Sequence, residues 1–364
     1  MDDKSYMKLA LDLARGALGQ TTPNPVVGAV LVRDGQMIGM GAHLKAGEPH
    51  AEVHAIQMAG EKAKAATLYV TLEPCSHFGK TPPCSDLVIR SGVKKVFVAT
   101  TDPNPQVAGT GVNRMKKAGI EVVVGLLQEE ARELNKIFFY NIQTGLPYVT
   151  LKTASSLDGK TATVAGESMW ITGEQARADV HQFRHQHDGI LVGVNTIIKD
   201  NPSLTTRIQS GGKNPVRIIL DTYLRTPHHA KVLTDQEAPT WIVTGSDVDL
   251  EKVEHFKEYG VEIIQMETNM ISIKELLVVL GEKGITSLFV EGGAEVHGSF
   301  LKEKAFQQVI TYIAPKLIGG KGAPTLFGGQ GIEKIAQAVS LNIRQVDRIG
   351  NDLRIIAEPI QGEE

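Results

Sequence analysis

A chain of 364 residues with 42% hydrophobic and 22% charged residues has the composition of a soluble globular protein and the length of two domains. A net charge of -3 gives no global attraction for nucleic acid. The start Met1-Asp2-Asp3-Lys4 lacks a basic stretch followed by an apolar core, so no signal peptide is expected, and no apolar run is long enough to cross a bilayer. Two cysteines in so long a chain argue for a reducing compartment, where thiols serve metals or chemistry, so a cytoplasmic enzyme is expected.

In chain order, residues 5–16 are an amphipathic helix, and the Pro/Asn-rich segment 21–25 leads into a buried strand, 26–32. Residues 33–36 form a hairpin turn and 37–41 return as a second strand. Pro49 suits the first turn of a helix that continues through 51–59. Strands follow at 67–72, 93–100 and 120–124, and helices at 85–91, 111–118 and 127–142. The order predicts a mixed sheet covered by helices. Gly145-Leu146-Pro147 breaks the pattern, which divides the chain into domains 1–146 and 147–364. The second has expected strands from 148 and at 189–194, 216–220, 240–244, 261–264, 287–290 and 309–313. Its helices are expected at 173–185 and 273–283, and the tail 361–364 is expected to fray.

The chemistry concentrates between residues 49 and 86. Pro49-His50-Ala51-Glu52 is followed by Glu73-Pro74-Cys75 and Pro82-Pro83-Cys84. A lone histidine at a helix start is more often a cap, and a lone cysteine a small core residue. Here both cysteines follow prolines at turns, each beside a possible helix start, where a thiolate is favoured. His50, Cys75 and Cys84 therefore read as three ligands of a zinc ion that keeps one open position for water. Glu52 reads as the proton shuttle, completing the H-x-E and P-C pattern of zinc deaminases, although the cysteines are further apart than in C-x-x-C. His54 lies one turn after His50, but Glu52 is one place too late for H-E-x-x-H, which excludes a zinc peptidase. His77 is a rival ligand within the cysteine loop; it and His54 are expected to be structural or to face substrate.

These residues resemble the cytidine deaminase superfamily, and a narrower match lies within it. Thr22-Pro23-Asn24-Pro25-Val26-Val27-Gly28, Gly41-Ala42-His43 and Thr71-Leu72-Glu73-Pro74-Cys75-Ser76-His77-Phe78-Gly79-Lys80-Thr81-Pro82-Pro83-Cys84 are similar to the riboflavin-biosynthesis deaminases, as is Asp102-Pro103-Asn104-Pro105. The resemblance implies a diaminopyrimidinone substrate carrying a phosphoribosylamine. It makes Asn24, His43, Lys80, Asp102 and Asn104 candidate substrate contacts, with the Lys80 ammonium suited to a phosphate.

From Tyr148 the chain resembles the reductase half of the bifunctional riboflavin-biosynthesis family, which has a dihydrofolate-reductase-like α/β fold. The matching stretches include Leu151-Lys152-Thr153-Ala154-Ser155-Ser156-Leu157-Asp158-Gly159, Asp200-Asn201-Pro202-Ser203-Leu204-Thr205-Thr206-Arg207 and Val290-Glu291-Gly292-Gly293. Residues alone say less: glycines between a strand and a helix can admit a phosphate, yet G-x-G-x-x-G is absent. The resemblance implies NADPH contacts at Ala154, Trp170, Thr196, Asp200 and Thr222, and along Gly293, Ala294, Glu295, Val296, His297, Gly298 and Ser299. It implies substrate contacts at Ser168, Arg184, Leu204, Arg207 and Glu291, and proton handling by Lys152, Asp200 and Glu291. The arginines can grip a phosphate bidentately.

The expectation is thus a bifunctional enzyme using zinc and NADPH on a pyrimidine ribosylamine phosphate, a homo-oligomer with no nucleic-acid or membrane partner. One rival is a nucleoside or tRNA-type deaminase joined to an unrelated domain. The other is a zinc-stapled binding protein, against which stands the count of three ligands where closed sites usually have four.

Overall fold

A computed structural model describes residues 1–78, 82–104, 108–209 and 211–360. Two compact units divide the chain, Met1–Gly145 and Leu146–Glu364. The tail 361–364 lies outside the described residues, and no described helix is long and apolar enough to cross a membrane.

In the first unit, helix α1 (Asp3–Arg15) starts where the Asp2 carboxylate accepts the Ser5 N–H at 2.9 Å. It buries Met7 and Leu11, each worth about 2 kcal/mol of apolar transfer. Strands β1 (Gly28–Arg33) and β2 (Gln36–Ala42) form the expected hairpin, α2 (Ala51–Ala59) follows, and β3 (Thr67–Val70) pairs with the other side of β1. Then come α3 (Cys84–Arg90), β4 (Lys95–Val98), α4 (Thr110–Lys117), β5 (Glu121–Val124), α5 (Gln128–Leu134) and α6 (Lys136–Thr144). The sheet order is β2-β1-β3-β4-β5, antiparallel through β3 and parallel beyond. Glycines decide how closely α2 lies on it: a Cβ on Gly39 would meet the Ala55 carbonyl oxygen at 2.1 Å, and one on Gly41 the Ala51 carbonyl oxygen at 2.6 Å.

The single helix expected over 127–142 is two. Asn135 breaks it, because its side-chain amide pairs reciprocally with the Val26 backbone, accepting the N–H at 2.9 Å and donating to the carbonyl at 3.0 Å. A side chain committed to a strand entry 109 residues away fixes the turn between α5 and α6.

The second unit runs β6 (Tyr148–Ser156), α7 (Glu174–Gln186), β7 (Gly189–Gly193), α8 (Val194–Asp200), β8 (Val216–Leu220), α9 (Lys231–Thr234), β9 (Thr240–Thr244), α10 (Leu250–Lys257), β10 (Glu262–Gln265), α11 (Ile273–Glu282), β11 (Ser287–Gly292), α12 (Ala294–Lys302), β12 (Gln308–Ala314), β13 (Leu341–Ile349) and β14 (Asp352–Pro359). The sheet order is β10-β9-β8-β7-β11-β6-β12-β14-β13. Strands from β10 to β12 are parallel, and β14 and β13 close one edge as an antiparallel hairpin. The buried runs Ile190-Leu191-Val192 and Leu288-Phe289-Val290 are what helix-covered parallel strands require. Helices α8, α9 and α10 and the hairpin are additions to the elements legible in the sequence.

Candidate active sites

In the first unit the chemistry gathers at the carboxyl ends of β3 and β4, where parallel sheets leave room for ligands. His50 is extended backbone and caps α2, so Glu52 falls in the first turn, buried. Cys75 lies in the loop after β3, and Cys84 is the first residue of α3. His50 Nδ1 is 3.3 Å from Cys84 Sγ and 3.8 Å from Cys75 Sγ, and all three ligand atoms lie within 4.8 Å of one another. Tetrahedral zinc with bonds of about 2.0 and 2.3 Å needs N···S separations of roughly 3.5 Å, so this donor set fits the ion.

The Cys75 thiol is held down to about 4, first by a hydrogen bond from Cys84 and then, against its burial, by His50. That shared bond, with burial, pushes Cys84 up, and the bond to Cys75 raises His50. Burial pushes Glu52 up to about 7.

A cavity of about 470 Å³ opens beside these groups. Asn24, His43, Asp102 and Asn104, all predicted as contacts, line it together with His50, Glu52 and Cys75. His43 Nδ1–H donates to the Pro49 carbonyl at 3.3 Å, which leaves Nε2 to accept from the Asn24 amide at 3.1 Å. Burial lowers the His43 pKa and raises that of Asp102. His77 also lines the cavity, whereas the Cβ of His54 packs against Gly41. Lys80 lies outside the described residues. Among the lining residues that sequence reading missed are Glu73, Phe138 and Ile142. The two apolar side chains sit on α6 at positions that read as ordinary core, and Glu73 read only as part of the cysteine motif.

In the second unit, Lys152 on β6, Arg184 on α7 and Glu291 at the end of β11 come together. Arg184 donates to Glu291 through Nε at 2.5 Å and Nη2 at 3.0 Å, and to the Thr205 carbonyl through Nη1 at 2.9 Å. Three of its five N–H groups are thus engaged. Lys152 Nζ is 4.0 Å from Glu291. Burial pushes the Glu291 pKa up, but Arg184 and Lys152 outweigh it and hold the carboxyl down at about 2. Lys152 is lowered by burial and partly restored by Glu291. Exposed Arg207 joins through His181, whose Nε2 accepts its Nε–H at 3.3 Å. His181 was not singled out in the sequence; burial and the two guanidinium groups lower it to about 4.

Beside this cluster, Thr196 on α8 donates to the Gly292 carbonyl at 3.4 Å, and Gly293 precedes α12. Residues 294–299 form the first turns of that helix, with buried His297 held between the Val290 and Leu326 carbonyls and Ser299 donating to the Glu295 carbonyl. Asp200 ends α8 and is raised by burial. Thr222 follows β8, and Ala154 lies on β6. Leu204 is buried in left-handed backbone. Trp170 is exposed with Arg177 stacked over its ring, and no hydrogen bond joins it or Ser168 to the Lys152 cluster among the described residues.

Family models match both halves: the cytidine and deoxycytidylate deaminase zinc-binding region over residues 1–100, and the RibD C-terminal domain over residues 147–355. The riboflavin biosynthesis protein RibD of Bacillus amyloliquefaciens is 53% identical over 100% of this chain and 98% of its own. The chain belongs to the RibD family. The Escherichia coli member is 43% identical over 97% of this chain and 98% of its own. RibD of Acinetobacter baumannii superposes with a TM-score of 0.89 at 41% identity, covering 99% of each chain. A Thermotoga maritima structure described as a diaminohydroxyphosphoribosylaminopyrimidine deaminase/5-amino-6-(5-phosphoribosylamino)uracil reductase gives 0.87 at 38% identity, covering 98% of each chain. As a RibD-family chain it is a bifunctional deaminase and reductase of riboflavin biosynthesis, with a cytidine-deaminase-like unit followed by a dihydrofolate-reductase-like one. The rival with an unrelated second domain is set aside by the match over residues 147–355.

Proposed function

We propose that residues 1–146 deaminate 2,5-diamino-6-(5-phosphoribosylamino)pyrimidin-4(3H)-one, and that residues 147–364 reduce the ribosyl group of 5-amino-6-(5-phosphoribosylamino)uracil to ribityl. The observation that carries this reading is the pair of clusters: His50, Cys75, Cys84 and Glu52 beside one cavity, and the largely buried side chains of Lys152 on β6, Arg184 on α7 and Glu291 at the end of β11 in a second unit. His50, Cys75 and Cys84 would hold zinc, which supplies the Lewis acidity that makes water nucleophilic near neutral pH. Glu52, raised to about 7 by burial, carries one proton of the attacking water to the ring nitrogen. It then carries the second, from the hydroxyl left on the ring carbon, to the amine, so that ammonia departs as the C–N bond breaks and a ring carbonyl remains. Asn24 and His43, linked at 3.1 Å, hold one side of the ring, with Asp102 and Asn104 on another wall.

In the second unit, Thr196, Asp200, Thr222, Ala154, Trp170 and residues 293–299 would hold NADPH, which supplies the hydride. Lys152 holds a proton for the ribose ring oxygen as the ribosylamine opens, and Glu291 keeps Lys152 and Arg184 aimed inward. Ser168, Leu204, Arg207 and the remaining N–H groups of Arg184 contact substrate, with Lys80 meeting phosphate in the first unit.

A two-step assay tests this, following ammonia release and NADPH absorbance on the diaminopyrimidinone ribosylamine phosphate, with cytidine and tRNA as rival substrates. Glu52→Gln should lower ammonia release by about 10²–10⁴-fold and leave NADPH oxidation of the deaminated substrate at the parental rate. Equal loss of both activities, or faster turnover of cytidine or tRNA, defeats the assignment. We also propose a cytoplasmic homo-oligomer. Two free cysteines and exposed Ile343 and Val346 on edge strand β13 support this, and sedimentation of the full chain tests the assembly.

A further inference from the structure

We infer that α4 is a clamp that holds the two cysteine segments together, with Arg114 and Glu73 as its positioning residues. The inference rests on the reading of His50, Cys75 and Cys84 as zinc ligands. In a C-x-x-C arrangement one short turn fixes both sulfurs. Here residues 76–83 intervene, and holding the ends of a longer loop together costs more chain entropy, which contacts from outside the loop can offset.

Helix α4 supplies such contacts from two sides. On the outside, the Arg114 guanidinium donates to the Ser76 carbonyl at 3.3 Å, one residue past Cys75. The same fork grips Asp86, two residues past Cys84, through Nε at 2.7 Å and Nη2 at 2.9 Å. One planar cation thus spans both ligand-bearing segments. The hydroxyls of Ser76 and Thr110, 2.5 Å apart, add a second link. On the inside, buried Glu73, two residues before Cys75, accepts the Gly109 N–H at 2.9 Å, the Val112 N–H at 3.0 Å and the Asp102 N–H at 3.3 Å. The carboxylate caps the positive end of α4 and fixes the Asp102 backbone on the cavity wall. Gly111 admits this approach, since a Cβ there would lie 2.1 Å from the Pro74 carbonyl oxygen. The closure is visible between the cysteines: the Cys84 N–H points at Cys75 Sγ at 3.3 Å, and the Ser85 N–H donates to the Cys75 carbonyl at 3.1 Å.

The Arg114–Asp86 pair is partly exposed, so it contributes little to global stability. Its removal should act on metal retention instead. The test uses full-length, zinc-loaded protein and measures zinc transfer to the chromophore 4-(2-pyridylazo)resorcinol. Arg114→Ala should release zinc about tenfold faster, the scale seen when groups supporting metal ligands are lost. Arg114→Lys, which reaches one partner at a time, should fall between, and Asp86→Asn should also release faster than the parent. Melting temperature and NADPH oxidation should stay parental, and Arg15→Ala, which breaks the unrelated Asp12 pair, should change nothing. Should Arg114→Ala arrive without zinc, the other two variants decide. Release within twofold of the parent for all clamp variants overturns the clamp. A parent that carries no zinc overturns the ligand reading on which it rests.

Discussion

Replacing Glu291 by glutamine should destabilise the second unit by about 3 kcal/mol at neutral pH, and the deficit should shrink in acid. Glu291 is a buried carboxylate between Arg184, at 2.5 and 3.0 Å, and Lys152 at 4.0 Å. Its folded pKa of about 2 stands below an ordinary 4.5, a gap of roughly 2.5 units or about 3.4 kcal/mol at 1.36 per unit. Breaking a buried pair from one side costs about 3–5 kcal/mol; glutamine keeps an acceptor for Arg184, which favours the lower end. The sign follows from proton counting. Between pH 4.5 and 2 the unfolded chain binds the extra proton, so the stabilisation is complete above 4.5 and is lost as pH falls toward 2. The difference between parent and variant should therefore drop by about 2 kcal/mol, from about 3 at pH 6 to about 1 at pH 3. Urea unfolding followed by tryptophan fluorescence reads this unit alone, because both tryptophans, Trp170 and Trp241, lie within it. A difference below 1 kcal/mol at pH 6, or one that stays constant down to pH 3, would refute the reasoning.

Two further outcomes follow from the same geometry. Gly39→Ala places a methyl 2.1 Å from the Ala55 carbonyl oxygen, so α2 must move. The first unit should lose about 1–3 kcal/mol and its zinc affinity should fall, as read by calorimetry and metal titration. His181, lowered to about 4 by burial and then by Arg184 and Arg207, should remain a neutral imidazole down to pH 5. Its ring shifts in an NMR titration check this, and a midpoint near 6.5 would contradict the arrangement.

The sequence was most informative where local chemistry sets the structure. His50, Cys75 and Cys84 each follow a proline, and helices start just after His50 and at Cys84, signals written within a few residues of the side chains themselves. The hairpin at 33–36 and the parallel strands at 189–194 and 287–290 were legible for the same reason. Other features depended on partners far along the chain. Asn135 breaks a helix only because Val26 is there to receive it, and His181 looks like any polar residue of α7 until Arg207 arrives beside it. The C-terminal hairpin β13–β14 was invisible because one of its strands is largely exposed and shows no half-buried alternation.

The break at Asn135 also sets the rotation of the helix that follows. Phe138 and Ile142, one turn apart on α6, face the cavity together, while His50, Glu52, Cys75 and Cys84 stand on other elements. One apolar stretch of the cavity wall is thereby carried by a helix that holds none of the His50, Cys75 and Cys84 cluster.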